Sequence, residues 1–157
     1  MPLEKAYYEQ GSGLYISVIP DQQSIDTLMP LYVKGVGLAP IQWHVTVNYD
    51  PTSQVDPHEL SHLFPISGCD LHYDAVAGDV VTWDGKNDKL WRVLLLDSPD
   101  LQELHAHLRS VFGIKSTYPE YRPHMSLVED AKWKEPPSSI LKGTKLRFGG
   151  LRFESLS

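Results

Sequence analysis

The sequence predicts a mixed α+β domain in which two similar lobes face each other across a central cleft. A chain of 157 residues is one domain's worth, or two small lobes that share a core. The same strand–helix–strand pattern occurs twice, and each copy ends on a strand that carries a His-x-hydroxyl triplet. The expected lobes, about residues 13–70 and 71–157, are each an antiparallel sheet with flanking helices, related by a pseudo-twofold axis.

The first unit begins with Leu14 to Ile19, a segment rich in β-branched and aromatic residues that is typical of a strand. Asp21 or Ser24 is a candidate N-cap for a helix whose apolar residues recur at helical spacing up to Tyr32. The second strand, Ile41 to Tyr49, alternates sharply. It places Gln42, His44, Thr46 and Asn48 on one face and Trp43, Val45, Val47 and Tyr49 on the other. We expect Trp43 to fill the core.

Two further segments separate the repeated units. A stretch bounded by prolines, Pro57 to Phe64, is long enough for about two helical turns. A hairpin follows, with strands near Leu71 to Trp83 and Leu90 to Leu96. The second hairpin strand opens the second unit.

The helix of the second unit has the clearest boundaries. Ser98 is the predicted N-cap, Pro99 the first helical residue and Gly113 the stop. The predicted apolar stripe consists of Leu101, Leu104, Leu108 and Val111. His105 and His107 lie two positions apart and do not share a helical face, so we expect both at the surface.

The second unit closes with a strand over Tyr121 to Val128. A helical turn is predicted near Pro136 to Leu141, and a final strand over Leu146 to Phe153 that Gly149-Gly150 interrupts. Leu14 and His44 are 30 positions apart, and Val93 and His124 are 31 apart, so the two units have nearly equal length. This near-equality supports an internal duplication.

The charge balance disfavours long nucleic acids as partners. The chain has 14 basic and 20 acidic residues, a formal charge of −6. Polynucleotide binding depends largely on basic side chains that displace counterions from phosphates, and this surface is acidic on average. A small anion in a locally basic pocket remains compatible with that charge.

The composition also indicates a compartment. No apolar stretch approaches the roughly 20 residues of a membrane-spanning helix, and the N-terminus does not resemble a signal peptide. The single cysteine, Cys69, has no internal disulfide partner, which fits a reducing environment. We therefore expect a cytoplasmic protein without membrane attachment, and we predict separately that it is a monomer.

The two triplets, His44-x-Thr46 and His124-x-Ser126, are the candidate catalytic residues. Residues i and i+2 of a strand share a face, so each triplet presents an imidazole beside a hydroxyl. A twofold axis would bring the two faces together. One imidazole can then accept a proton from an attacking oxygen while the other donates one to the leaving oxygen, and the hydroxyls can hold phosphate oxygens. This arrangement suits phosphodiester cleavage without a metal.

These triplets resemble the signature of the 2H phosphoesterases, including the proline before the second histidine, Pro123. The resemblance covers about Gly13 to Asp130. Within that superfamily the chain is most similar to phage anti-CBASS cyclic-oligonucleotide phosphodiesterases. Three stretches carry this likeness: Gly13-Leu14-Tyr15, the Leu94 to His105 strand-to-helix stretch, and Tyr121 to Leu127.

The resemblance implies a bilobal LigT-like fold, no cofactor, and cleavage of a cyclic nucleotide or oligonucleotide. His44 and His124 would be the acid/base pair, and Thr46 and Ser126 would hold the phosphate. Tyr15 and Glu154 match, by local context, a tyrosine and a glutamate that line the pocket in the phage group.

Two further residues are candidates for substrate binding on their chemistry alone. Trp133 lies between two lysines and can form an aromatic rim for a nucleobase, and Arg122 can supply positive charge beside the second triplet.

One competing motif favours a different chemistry. His58-Glu59-Leu60-Ser61-His62 matches the His-Glu-x-x-His pattern of zinc hydrolases. Its segment is short, and no third ligand follows on a partner helix, so we predict no metal site. Two other functions remain open on the 2H fold: a 2′,3′-cyclic phosphodiesterase that acts on RNA ends, and a non-catalytic nucleotide-binding module.

Overall fold

The computed structural model describes residues 13–63, 71–85, 88–115, 120–131 and 138–156. The strands are β1 (Leu14–Pro20), β2 (Val45–Asp50), β3 (Tyr73–Asp84), β4 (Leu90–Asp97), β5 (His124–Ala131) and β6 (Lys145–Ser155). The α-helices are α1 (Gln22–Leu28), α2 (Pro57–Leu63) and α3 (Pro99–Phe112). No helix within these ranges is both long enough and apolar enough to cross a bilayer.

The strands form one closed antiparallel ring in the order β1-β2-β5-β4-β3-β6. Two equivalent halves make up this ring, β6-β1-β2 and β3-β4-β5, so that β1 corresponds to β4, β2 to β5 and β6 to β3. The halves join edge to edge where β2 meets β5 and β3 meets β6. The predicted α+β class and the strand–helix–strand duplication are confirmed, and the two expected sheets are continuous with each other.

Helix α3 begins and ends where the sequence predicts. The Ser98 side chain accepts a hydrogen bond from the Leu101 backbone N–H, and Gly113 adopts a left-handed conformation with φ 67°. Two predictions about the buried face of α3 are wrong. Val111 was expected in the buried stripe and is 59% exposed, and His105 was expected at the surface and is only 5% exposed. His105 follows Leu101 by four positions and therefore lies on the same helical face, which packs against the ring.

Strand β2 begins four residues later than predicted. Pro40–Gln42 forms a 3₁₀ turn, and the Gln42 side chain accepts a hydrogen bond from the Ala39 N–H, so His44 directly precedes the strand. The prediction was also wrong about the last two residues: Asn48 is buried and Tyr49 is 38% exposed. The cause is a β-bulge, which reverses the alternation of faces after it.

Bulges occupy the same position in both halves. In β2, Val47 is the extra residue, since Ser17 pairs with Thr46 and Ile16 with Asn48. In β5, Leu127 is the extra residue, since Val93 pairs with Ser126 and Arg92 with Val128. Each His-x-hydroxyl triplet is therefore followed at once by a bulge, which bends the strand immediately beyond its hydroxyl residue.

The core lies between the ring of strands and the helices that pack on it, because α3 contributes Leu101, Leu104 and Leu108 to the buried apolar cluster. Its largest fully buried side chains include Trp43, as predicted, and Phe148. The predicted interruption of the last strand is a bulge opposite Ser17 and Ile19, where Gly150 has φ 57°. The turn expected near Pro136 to Leu141 lies partly outside the described residues. Cys69 and Trp133 lie entirely outside them.

Candidate active site

The two triplets meet where the halves of the ring join. Val45 of β2 and Met125 of β5 are paired and buried in the core. In an antiparallel pair, one step along each strand from this point places His44 opposite Ser126 and Thr46 opposite His124, on the face away from the core. Side chains opposite each other in this way have Cβ atoms about 5 Å apart. Each imidazole therefore faces the hydroxyl of the other triplet across one seam.

Both histidines are oriented by the same local hydrogen bond. The Nδ1 of His44 lies 2.9 Å from the Gln42 carbonyl oxygen, and the Nδ1 of His124 lies 2.8 Å from the Arg122 carbonyl oxygen. A carbonyl oxygen only accepts, so each Nδ1 carries the hydrogen. Nε2 is then the atom of each ring that can gain or lose a proton. This fixed tautomer is what acid/base catalysis by a histidine requires.

An aromatic ring stands beside each imidazole. Tyr15 contacts His44 edge-on with ring centroids 6.0 Å apart, and Trp83 contacts His124 at 4.6 Å. The Tyr15 hydroxyl is also 2.9 Å from the Thr46 hydroxyl oxygen. Tyr15 thus belongs to the same cluster as the first triplet, where its sequence context placed it, and Trp83 of β3 lies beside the second triplet.

Charged groups border this cluster on β6 and before β5. Glu154 pairs with Tyr15, and its charge acts on the tyrosine hydroxyl. The Arg122 guanidinium carbon lies 5.2 Å from the centre of the Trp83 ring. Arg152 donates a long hydrogen bond of 3.4 Å to Ser17, the residue that pairs with Thr46. The acidic protein therefore holds cations close to its hydroxyl cluster.

Burial changes the proton affinities of two groups in the cluster. Desolvation lowers the pKa of His124, and the neighbouring charges of Arg122 and His44 lower it further, against the hydrogen bond to the Arg122 carbonyl. Desolvation also raises the pKa of Tyr15, which keeps its hydroxyl protonated. At neutral pH the site thus contains a neutral His124 and a protonated Tyr15.

The alternative zinc motif lies elsewhere. His58 and His62 are on α2, exposed, with ring centroids 4.5 Å apart. Leu60, between them, is buried and holds the helix against the ring. Within the described ranges, no group of three or more histidine, cysteine or carboxylate side chains is arranged to hold a metal ion.

Three residues contact the site although the sequence did not place them there, and one of them, Trp83, is among the four tryptophans whose rings could stack bases. Trp83 and Tyr49 both reach it, with the Tyr49 ring 6.4 Å from that of Tyr15. Tyr49 reaches the site because of the bulge in β2, and no pattern of residues in the sequence predicts that bulge. Tyr121, beneath Thr46, donates its hydroxyl to the Thr46 carbonyl oxygen at 2.7 Å. The signal for Tyr121 was its position just before the second triplet.

Comparison with solved structures identifies the fold. The protein TT0787 of Thermus thermophilus has a TM-score of 0.64 and 14% identity, covering 90% of this chain and 86% of that chain. E. coli LigT complexed with phosphate has a TM-score of 0.56 and 14% identity, covering 95% of this chain and 96% of that chain. A structure described as a phosphoesterase has a TM-score of 0.54 and 14% identity, covering 92% of this chain and 95% of that chain.

The family is shown by the sequence itself. No curated protein matches the chain. The family profile of the anti-CBASS protein Acb1, however, matches residues 12–156, which include both triplets and the Tyr15–Glu154 pair. The expected LigT-like fold is therefore confirmed, and the chain belongs to the Acb1 family of anti-CBASS proteins.

Proposed function

We propose that this protein is a phosphodiesterase that cleaves a cyclic nucleotide or oligonucleotide without a metal ion. The observation that carries the proposal is the pair of His-x-hydroxyl triplets opposed across the β2–β5 seam, each imidazole fixed through Nδ1. Membership of an anti-CBASS family supports a cyclic oligonucleotide signal of the host as the substrate. The proposed setting is a phage protein that acts as a monomer in the host cytoplasm.

The proposed reaction has two proton transfers, and each histidine carries out one of them. His124, whose burial favours the neutral imidazole, accepts the proton of a ribose 2′-hydroxyl or of water at Nε2. The resulting oxygen attacks phosphorus, and the bond from phosphorus to the departing ribose oxygen breaks. His44 donates the proton from its own Nε2 to that departing oxygen. Thr46 and Ser126 donate hydrogen bonds to the non-bridging phosphate oxygens, where negative charge increases.

The residues around the triplets fit a small nucleotide better than a polymer. Tyr15 and Trp83 offer aromatic surfaces on which nucleobases can stack. Glu154 can accept a hydrogen bond from an exocyclic amine of a base, and Arg122 and Arg152 can neutralise phosphate charge. We propose Trp133, between two lysines, as a further rim residue.

The pH dependence of kcat/KM is expected to have its acidic limb below about 6.5, the ordinary pKa of histidine. Because burial lowers the pKa of His124, this base stays neutral at pH values that protonate an exposed imidazole. Arg122→Gln removes a cation that lowers this pKa, so the acidic limb should move to higher pH. The measurement is kcat/KM from pH 4 to 9 (about 0.5-unit steps) for both proteins. An acidic limb above the ordinary value, or one that Arg122→Gln leaves in place, would count against His124 as the base.

Trp83→Ala is expected to raise KM about tenfold or more, because stacking of a base on an aromatic ring is worth about 1–3 kcal/mol. Trp83→Phe retains a ring and should retain most of the affinity. The comparison needs Michaelis–Menten curves for both variants and the wild type on one cyclic oligonucleotide. If Phe and Ala behave alike, the tryptophan acts on His124 rather than on the substrate.

The substrate assignment is tested with purified protein in EDTA. A panel of cyclic di- and trinucleotides, with a 2′,3′-cyclic mononucleotide alongside, is incubated and resolved by chromatography. Cleavage of a cyclic oligonucleotide in the presence of chelator would support the proposal and identify the ring and bases. Opening of the mononucleotide alone would favour an enzyme that acts on RNA ends. Binding without turnover would indicate a nucleotide-binding module, and activity lost in EDTA would redirect attention to His58 and His62.

A further inference from the structure

A cluster of side chains lies behind the first triplet, on the core side of β2, and takes no part in the proton transfers above. The Tyr121 hydroxyl donates to the Thr46 carbonyl oxygen at 2.7 Å, and His105 Nδ1 lies 2.8 Å from the Val47 carbonyl oxygen. The rings of Tyr121 and His105 are stacked, with centroids 4.4 Å apart and planes within 10°. The two side chains therefore hold two consecutive carbonyls at the bulge of β2.

The hydrogen bonds from Tyr121 and His105 replace those that a neighbouring strand would make to this part of β2. The strand pairs with β5 only at Val45 and Met125, and Val47 is the extra residue of the bulge. A bulge interrupts the regular ladder and leaves its carbonyls to find other donors. Because Val47 receives a donor from His105 and Thr46 one from Tyr121, the backbone that carries the Thr46 hydroxyl is fixed from below.

Both donors come from the other half of the ring. His105 is on α3, and Tyr121 lies three residues before His124. The Tyr121 hydroxyl therefore connects the segment that carries His124 to Thr46, whose hydroxyl lies opposite His124. The bulge of β5 is held in a related way, since the Leu38 backbone N–H donates to the Leu127 carbonyl oxygen at 2.8 Å. In that half a backbone donor replaces the side-chain pair.

We propose that Tyr121 and His105 are positioning residues that set where the Thr46 hydroxyl meets the substrate phosphate opposite His124. This inference rests on the proposed phosphodiester chemistry. Both side chains act through the backbone, because their hydrogen bonds go to the carbonyls of Thr46 and Val47. Burial lowers the pKa of His105, which keeps its imidazole neutral, with a hydrogen on the Nδ1 that donates to Val47. The hydroxyl is thus held in place before the substrate arrives, which is the condition under which a hydrogen-bond donor accelerates a reaction.

The test is a double-mutant cycle between Tyr121→Phe and Thr46→Val. Tyr121→Phe removes one oxygen and retains the stacked ring, and it should lower kcat roughly tenfold with little change in KM. In the Thr46→Val background the same change should have almost no further effect, because the hydroxyl that it positions is already absent. In a Ser126→Ala background its effect should persist. A purely structural role predicts the same loss in all three backgrounds.

Two controls separate positioning from general loss of structure. Tyr73→Phe removes another half-buried tyrosine hydroxyl, on β3, and should leave kcat unchanged. His105→Leu removes the donor to Val47 and should lower kcat by several-fold, whereas His105→Asn keeps a donor near the position of Nδ1 and should restore most of the rate. Equal rates for Leu and Asn would overturn the role of His105.

The cycle is also measured without turnover, as the affinity for inorganic phosphate. This readout separates failure of the inference from failure of the proposed reaction. If the wild type cleaves nothing but phosphate affinity shows the same coupling between Tyr121 and Thr46, the reaction is wrong and the positioning role stands. If wild-type turnover is normal and the two changes act independently in both measurements, the reaction stands and the positioning role is refuted.

Discussion

Replacing His124 or His44 by alanine is expected to lower kcat by about 10²–10⁴-fold, the usual contribution of a positioned general acid or base. Each imidazole has its Nδ1 bound to a carbonyl oxygen two residues earlier, so Nε2 is the proton-transfer atom and alanine leaves nothing in its place. Loss of either residue interrupts the same proton relay. The double variant should therefore be little slower than the slower single variant.

The matched control is His62→Ala, which removes an exposed histidine from the alternative zinc motif on α2 and should leave kcat unchanged. Thermal unfolding of all variants checks that the fold survives. Substrate binding by the slow variants, measured calorimetrically, should remain close to that of the wild type, because the lost interactions act mainly on the transition state. A His44→Ala protein with normal turnover would refute the two-histidine mechanism, and loss of activity in His62→Ala would favour metal chemistry.

The sequence predicted the parts of the fold that depend on local patterns. Helix α3 is bounded by Ser98 and Gly113 because an N-cap hydroxyl and a left-handed glycine are local devices. The duplication predicted which strands correspond. It also predicted that His44 and His124 would be brought together, and the Val45–Met125 pair puts them beside one seam.

Other features depended on contacts that the sequence does not display. The bulge at Val47 turned Asn48 into the core and Tyr49 outward, and a bulge follows from how two distant strands register. His105 was expected at the surface because it does not share a helical face with His107 and so cannot form a helical ligand pair with it. It is buried because the Val47 carbonyl, 58 positions earlier in the chain, supplies a hydrogen-bond partner.

The residues proposed to contact bases were predicted unevenly for a similar reason. Tyr15 and Glu154 were found through the family resemblance, and their pairing on β1 and β6 places them side by side. The family resemblance does not identify Trp83 as a site residue. This tryptophan becomes a candidate only because Asp84 and Leu90 register the β3–β4 hairpin so that Trp83 reaches His124.

Removing the hydroxyl of Thr46 or Ser126 is expected to lower kcat by about 10²-fold each, the lower range for one donor to a developing negative charge. Thr46→Val and Ser126→Ala retain nearly the same shape, so the change tests the hydrogen bonds rather than packing. KM should change much less than kcat, because the non-bridging oxygens carry their greatest charge in the transition state. The measurement is steady-state turnover of the substrate that the panel identifies, with Thr27→Val and Ser110→Ala as controls that remove hydroxyls from helical positions outside the site.

The variant that combines Thr46→Val with Ser126→Ala shows whether the two hydroxyls bind the same phosphate oxygen or different ones. Thr46 lies opposite His124 and Ser126 opposite His44, so we expect the two hydroxyls to bind different non-bridging oxygens and their losses to multiply. If the double variant is no slower than either single variant, both hydroxyls bind one oxygen.

The two halves of the ring also differ beyond the triplets. Tyr15 lies two residues before the strand partner of Thr46, and Trp91 lies two residues before the strand partner of Ser126. Because only the first of these offers a hydroxyl, Tyr15→Phe should reduce kcat in the Ser126→Ala background more than in the Thr46→Val background.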